Sequence, residues 1–303
     1  MKKILSLLTI IVIAGSSRAA FFTNSVSVDA FVRASAPTSN YGGAGALSVS
    51  GTNAVNGSGV TNGAFDSFIR FNTAALVTNF NSLFGSNNWA VSGAKLRVTE
   101  IGAPGLTLFN RGSGAFQIRW IANDNWTEGT GNPGMPTTTG IVYTNEPTLL
   151  NSGADASLGT FTNAGADVTL SFPLALPTAL VSDLKAGGEV GVFLTAIDPG
   201  IGFTVDSRSF ATTNARPFLE ISAAPRPGIT GISLSGTNIL FTATNGAAGG
   251  IYYLLGSTNL SSPLNQWTPI ATNVLSANGN FSIIATNAVL ENLPQQFFIL
   301  QTQ

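Results

Sequence analysis

Residues 94–101 read AKLRVTEI and residues 115–121 read AFQIRWI. Ala94, Leu96 and Val98 alternate with Lys95, Arg97 and Thr99, and Phe116, Ile118 and Trp120 alternate with Gln117 and Arg119. A period of two places the apolar side chains on one face of an extended chain, so each segment reads as a strand with one buried face. The pattern recurs along the chain. Val26, Val28, Ala30 and Val32 alternate in SVSVDAFVR (25–33), and ALSVS (46–50), SFIRF (67–71), DVTLSF (167–172), EVGVFLTAI (189–197), GFTVDSRSF (202–210) and RPFLEIS (216–222) continue it. Many short strands with turn residues between them predict an all-β chain built as a two-sheet sandwich or jelly roll.

Two stretches break the alternation. TAALVTNFNSLF (73–84) has helical spacing, and PTALVSDLKAGG (177–188) has it more clearly. The second opens on Pro177-Thr178, places Leu180 and Leu184 one turn apart and ends at Gly187-Gly188. Both are expected to cross the rim of a sandwich. At AAPRPG (223–228) two prolines in a small-residue run predict a stiff linker. About six more short strands follow, enough for an immunoglobulin- or fibronectin-like sandwich with a hairpin turn at Asn278-Gly279. The expected organisation is a leader at 1–19, a jelly-roll sandwich at 21–223, a linker at 224–227 and a small sandwich at 228–303.

The leader is read from Lys2-Lys3, the apolar run Ile4–Ala14 and the small-residue exit up to Ala19. That is the layout of a secretory signal peptide, and its apolar run is short for a bilayer core of roughly 30 Å. No later stretch is apolar enough to span a membrane. The expected location is therefore outside the cell or on its surface, with no membrane insertion once the leader is removed. There is no cysteine, so neither a disulfide nor a thiolate metal site is available.

Charged residues make up 9% of the chain, against about 25% in an average protein. The leader holds three of the 13 basic residues and none of the 14 acids, which leaves 10 against 14, net −4. A nucleic-acid binder needs clustered Lys and Arg, and none is present. The surface must be built from Thr, Asn, Ser and Gly. Thr-Asn pairs such as Thr52-Asn53, Thr144-Asn145 and Thr272-Asn273 suit strand edges and tight turns.

The chemistry centres on NDNWTEGTGNPG (123–134), where Asp124, Trp126 and Glu128 fall within five positions. Glycosidase chemistry needs two carboxyls facing across a cleft about 5–10 Å wide, and Asp124 with Glu128 could reach that distance. Nothing else in the sequence supports that reading, and the same residues suit a loop that closes a sandwich. With no histidine there is no Ser-His-Asp triad, no histidine base and no histidine-ligated zinc. A lyase site using Tyr41, Tyr143 and Arg119 is a weaker possibility still. Calcium takes hard oxygen ligands, and Asp29, Asp66, Asp124 and Asp206 are the candidates, with turn capping as the competing role. Binding a sugar calls for flat aromatic rings beside fixed amides or carboxylates. Tyr41 in SNYGG and Trp89 in SNNW sit among turn residues, where exposed rings are expected, and Asn40, Trp126 and Glu128 complete the candidate set. Trp120 reads as core.

One family carries several of these motifs in the same order. Asp29-Ala30-Phe31-Val32, Asn40-Tyr41-Gly42 and Leu47-Ser48-Val49 resemble the opening of the DNRLRE domain family. SFIRFN, AKLRV, NDNWTEG and DSRSFATTNARPFLEIS (206–222) continue the resemblance over most of residues 25–222. It implies a jelly-roll sandwich akin to carbohydrate-binding modules, and with it a sugar-binding or surface-matrix role. YYLLGSTNLSSPLNQWTPIATN (252–273) resembles a short β module that often closes secreted proteins of Verrucomicrobia-type bacteria, for which no activity is implied. The expected function is non-catalytic binding of an extracellular polysaccharide through aromatic stacking and polar loops, with a structural calcium at most. The alternatives are a purely structural adhesion or matrix protein and, less supported, a glycan-cleaving enzyme.

Overall fold

The computed structural model describes residues 12–13, 19–56, 58–86, 88–101, 112–150, 153–163, 168–246, 250–276, 279–290, 293 and 295–302. Most of the expected leader and Asn278 of the expected hairpin turn lie outside the described residues. The fold is all-β with minor helices, in agreement with the alternating sequence. The chain divides into two compact units. One comprises residues 21–79 and 93–222. The other comprises 1–20, 80–92 and 223–303.

In chain order the first elements are β1 (Val12–Ile13), β2 (Ala20–Arg33), β3 (Ala46–Ser50), β4 (Phe65–Asn72), α1 (Ala74–Phe84), β5 (Trp89–Thr99) and β6 (Ala115–Ile121). They are followed by α2 (Glu146–Leu150), β7 (Ala156–Thr162), β8 (Thr169–Leu174), α3 (Thr178–Ala186), β9 (Glu189–Ala196), β10 (Gly202–Asp206) and β11 (Phe218–Pro225). The strands pair in the order β7-β6-β9-β4-β2-β11-β5-β8, and β10 pairs with β3, which pairs with β4. The edge regions approach where the Ala175 N–H donates to the Leu158 carbonyl at 2.8 Å, so the sheet curls into a nearly closed jelly-roll-like sandwich.

Alternation decides what the large unit buries. Phe68, Ala30 and Val32 lie on one face with Ile121, Trp126, Ile141, Leu149 and Phe193. Elsewhere in its interior Phe116 meets Phe172 at 5.3 Å and Phe203 at 4.9 Å, ring centre to ring centre. Each such ring, fully withdrawn from water, contributes roughly 1.5–3 kcal/mol.

Both expected helices form. α3 stops at Gly187, which takes a left-handed φ of 76° as a C-terminal cap. Strand β7 was not expected, because ASLGTFT carries few bulky residues. Its central Gly159 leaves room for the Phe161 ring, which would meet an added Cβ at 2.6 Å. GFTVDSRSF is a strand only as far as Asp206, after which Ser207–Phe210 turn.

The second unit carries β12 (Gly228–Ser235), β13 (Asn238–Gly246), β14 (Ile251–Ser257), β15 (Thr268–Val274), β16 (Gly279–Ala285) and β17 (Phe297–Thr302). β12-β13-β16 form one sheet. β1-β17-β14-β15 form the other, with β1 parallel to β17. Between them lie Phe241, Tyr252, Leu254, Phe281, Ile283, Phe298 and Leu300. Because β11 runs to Pro225 and β12 opens at Gly228, the expected linker is strand over its first two residues.

Candidate functional site

NDNWTEGTGNPG folds as a loop that is clamped at one end and open at the other. The clamp is built on Asn40, which is fully buried. Its amide donates to the carbonyls of Glu128 (2.7 Å) and Ile141 (2.8 Å). Its side-chain oxygen accepts from the N–H groups of Gly42 and Gly131, each at 3.2 Å. One side chain therefore ties together three chain segments that are 88 to 101 residues apart or adjacent to it. The glycines make this approach possible. Gly129 has φ of 78°, and a Cβ there would stand 2.2 Å from the Asn40 side-chain oxygen.

Glu128 completes the clamp. Its carboxylate accepts from the Asp29 N–H at 3.0 Å and from Arg208 Nε at 2.9 Å, with Arg208 Nη2 making a second, shorter bond. This two-point arginine–carboxylate geometry fixes direction as well as charge. Bonding to Glu128 raises the Arg208 guanidinium still further above its ordinary value. Asp29 is 1% exposed. Its Oδ2 accepts the Arg208 backbone N–H at 2.6 Å, while its Oδ1 has no partner among the described residues. Burial raises the Asp29 carboxyl from 3.8 to about 7. The Arg208 N–H opposes that rise, and the Glu128 charge adds to it.

The two acids of the motif work in different charge groups. Asp124 is raised by burial, lowered by the Arg70 guanidinium and raised again by Glu189. Arg70 donates to the carbonyls of Asp124 and Trp126 and lies 5.2 Å over the Trp126 ring. Asp124 thus lies beside Arg70, while Glu128 is paired with Arg208.

The rings expected to be exposed are buried. Tyr41 is 4% exposed and stacks on Phe31 at 4.7 Å, with Arg33 over its other side at 5.9 Å. Trp89 is 1% exposed, packs on Phe80 at 4.9 Å and donates its ring N–H to the Asn81 side chain at 2.8 Å. Neither presents a face to a ligand, because each of these turn residues is covered by an aromatic ring from the element that precedes it, Phe31 of β2 and Phe80 of α1. Asn40 and Glu128 spend their polar atoms on the clamp. Trp126 is buried too, but it differs: its indole N–H has no partner among the described residues.

Trp126 borders a hollow of about 270 Å³ at the open end of the loop. Ile141 and Leu149 share its apolar floor, while Asn125, Thr127, Asn145 and Thr148 supply the polar lining. No lining residue is charged. Asn125 and Thr127 are exposed, and no side-chain hydrogen bond of either occurs among the described residues. Asn145 accepts the Val142 N–H at 3.0 Å through its oxygen, leaving its amide hydrogens toward solvent exposure. Sequence reading missed Asn125 and Thr127 although both flank Trp126. Asn145, Thr148 and Leu149 carried no signal as site residues, since the 3-10 turn Tyr143–Asn145 and α2 are too short to show a helical period.

The four aspartates expected to hold calcium do not converge. Asp29 stands across from Ile69, Asp66 from Val32 and Asp206 from Ala46, and Asp124 lies in the loop beside Arg70. Among the described residues no three acidic side chains group as metal ligands. At Asp29 and Glu128 the local cation is the Arg208 guanidinium. A second acidic pair lies elsewhere: burial raises both Asp66 and Glu146. The Asp66 charge raises Glu146 further, and a bond to Thr195 moderates Asp66.

No protein-family model matches the chain, and no curated protein matches it. Solved structures align along most of its length. A β-glucuronidase from Ruminococcus gnavus, in complex with N1-substituted uronic isofagomine, aligns at 10% identity over 93% of this chain and 42% of its own, with a TM-score of 0.21. A β-D-glucuronidase of Dictyoglomus thermophilum aligns at 8% identity over 97% of this chain and 45% of its own, with a TM-score of 0.22. The chain spans under half the length of these enzymes, and TM-scores this low do not establish a common fold. Among the described residues no helix is long and apolar enough to cross a membrane.

Proposed function

We propose that this protein is a secreted, non-catalytic binder of extracellular polysaccharide, and that the hollow beside Trp126 takes a sugar unit. One observation carries the reading: the hollow sets the apolar side chains of Trp126, Ile141 and Leu149 beside the exposed polar side chains of Asn125, Thr127 and Asn145, and has no charge. A sugar offers the matching chemistry, with C–H faces for the floor and dense hydroxyls that both donate and accept. Secretion rests on the leader-like residues 1–19, and the resemblance to DNRLRE domains supports the same role. Calcium is not required by this site, whose lining contains no carboxylate.

Affinity gel electrophoresis of the chain lacking residues 1–19, through a panel of neutral and acidic polysaccharides with calcium or with EDTA, tests the proposal. One polymer is expected to retard the chain, and Asn125→Ala with Thr127→Val is expected to remove most of that retardation without changing the fold. No retardation by any polymer would overturn the reading. New reducing ends or unsaturated products in the incubated polymer would overturn its non-catalytic part.

A further inference from the structure

A cavity lies in the small sandwich, in the other unit from the Trp126 hollow. It measures about 570 Å³. Its origin is visible in one row of side chains. On β14 the inward positions are Tyr252, Leu254 and Gly256, and the first two are fully buried in the core. Across β17 their partners are Thr302, Leu300 and Phe298. Where the row would next place an apolar side chain between the sheets, Gly256 places none. An added Cβ there would meet its nearest neighbours, on Ile270 and Phe298, at an ordinary contact distance of 3.5 to 3.7 Å, so the backbone tolerates a side chain that the sequence omits. The sheets are left with an open mouth.

The lining mixes apolar and uncharged polar side chains. Ile270, Ala288, Leu290 and Phe298 supply the apolar part. Thr258, Asn259, Gln266, Thr268, Thr286 and Asn287 surround it. No lining residue is charged, and from Gly228 to Gln303 the only charged side chain is Glu291. Several polar groups have work left to do. Asn259 and Asn287 each accept a hydrogen bond through their oxygens, at 3.0 Å from Ser261 N–H and from the Thr237 hydroxyl. The side chains of Thr258, Gln266, Thr268 and Thr286 make no hydrogen bond among the described residues. An anion or cation entering this mouth would lose water and find no counter-charge. β15, which supplies Thr268 and Ile270, is a sheet edge, but an added peptide strand would bond its backbone and leave the rim's side-chain amides and hydroxyls unused. A ligand dense in neutral hydroxyls is what such a lining satisfies.

We infer that the open mouth of the small sandwich, left by Gly256 between Ile270 and Phe298 and rimmed by Gln266, Thr286 and Asn287, is a second binding site for a neutral carbohydrate. This site does not depend on the Trp126 hollow. The pocket volume lies within the range of small-ligand sites, about 300–1,000 Å³.

The test is NMR titration of the chain lacking residues 1–19 with cellotetraose, xylotetraose, mannotetraose and maltotetraose, watching the side-chain amide signals of Asn259, Gln266 and Asn287. A saturable shift of these signals with at least one probe is expected. Gly256→Leu, which fills the mouth, should abolish it, and Gln266→Ala should weaken binding at least fivefold. Asn125→Ala should leave it unchanged, which separates this site from the one in the large unit. If Gly256→Leu disturbs the fold, Gln266→Ala decides. Shifts absent with all four sugars, shifts that survive both variants, or shifts produced by an uncharged Asn/Ser-rich peptide but by no sugar would each overturn the inference.

Discussion

The two sandwiches solve the same packing problem with opposite chemistry. The large one buries ionisable groups: Asp29, Asp66, Glu100 and Asp206 are all nearly inaccessible. The small one has a single charged side chain across residues 228–303. The large unit uses its charges and one buried amide to pin a long loop. Among its described residues the small unit has no such clamp and relies on apolar rows such as Phe241, Tyr252, Leu254 and Phe298. A buried charge network is directional, and it also makes stability depend on pH.

The pH dependence is the largest effect expected. A carboxyl held high in the folded state binds its proton more tightly folded than unfolded. For Asp29 the window runs from 3.8 to about 7. Below it both states are protonated and the penalty is absent. As pH rises through it the folded state loses stability, and above it the loss is complete, up to about 4 kcal/mol at 1.36 kcal/mol per pKa unit. Asp66 and Glu146 are shifted in the same direction and add to the slope. Hydrogen exchange read peptide by peptide should show protection in residues 21–79 and 93–222 falling from pH 4.5 to pH 8, after correction for intrinsic exchange. Peptides from 238–246 and 251–257 should stay flat. Asp29→Asn should reduce the first slope. Equal slopes in both units would break the comparison.

Removing the amide hub comes next. Asn40→Ala strands the carbonyls of Glu128 and Ile141 and the N–H groups of Gly42 and Gly131. Each buried group left unpaired costs about 1–3 kcal/mol, but water entering beside the loop satisfies some of them, so a loss of about 3 kcal/mol is expected. Urea denaturation followed through residues 123–142 would measure it. No hub of this kind exists to remove among the described residues of the small sandwich, where Phe241→Ala should instead cost about 3–5 kcal/mol by opening a cavity.

What could be read from the sequence divides along the same line. Alternation depends on neighbours two residues apart, so AKLRVTEI and AFQIRWI announced their strands and their buried faces. The unusual β7 hid because Gly159 and its small neighbours leave the pattern empty. Contacts made across the chain left no local mark. Tyr41 looked like an exposed turn residue because the residues packed with it, Phe31, Ala54 and Phe65, lie 10 to 24 positions away and leave no mark beside it. Trp126 stood out in the sequence, yet among the residues that line its hollow Asn145 ends a three-residue 3-10 turn and Leu149 lies in a five-residue helix, both too short for a periodicity to reveal.

Breaking the ion pair is a milder test than breaking the hub. Severing a fully buried pair costs about 3–5 kcal/mol, but the Arg208 side chain is 38% exposed and water can compensate it. Glu128→Gln keeps an acceptor for the Asp29 N–H and removes the charge, so about 1–2 kcal/mol is expected after that discount. The same variant lifts the Glu128 charge from Asp29, which should move the pH-dependent loss of stability to lower pH. A shift to higher pH would mean that Glu128 stabilises the Asp29 anion, contrary to the geometry.

Salt should produce the smallest difference between the two units, and it isolates charge from every other term. At 1 M ionic strength the Debye length falls to about 3 Å, so partly exposed pairs lose much of their attraction. Arg208–Glu128 and Lys95–Glu220 both have one exposed partner, and exposed pairs contribute only about 0.2–1 kcal/mol. Raising sodium chloride from 0.05 M to 1 M should therefore lower protection in the large unit by a few tenths of a kcal/mol. The small sandwich has no ion pair among its described residues for salt to screen, and its apolar rows respond the other way if at all, because salts that strengthen apolar association favour burial. The signs should differ even where the sizes are small. If both units lose stability together, the charges of the large sandwich are not what distinguishes it, and the glycine-lined clamp on Asn40 must carry the difference alone.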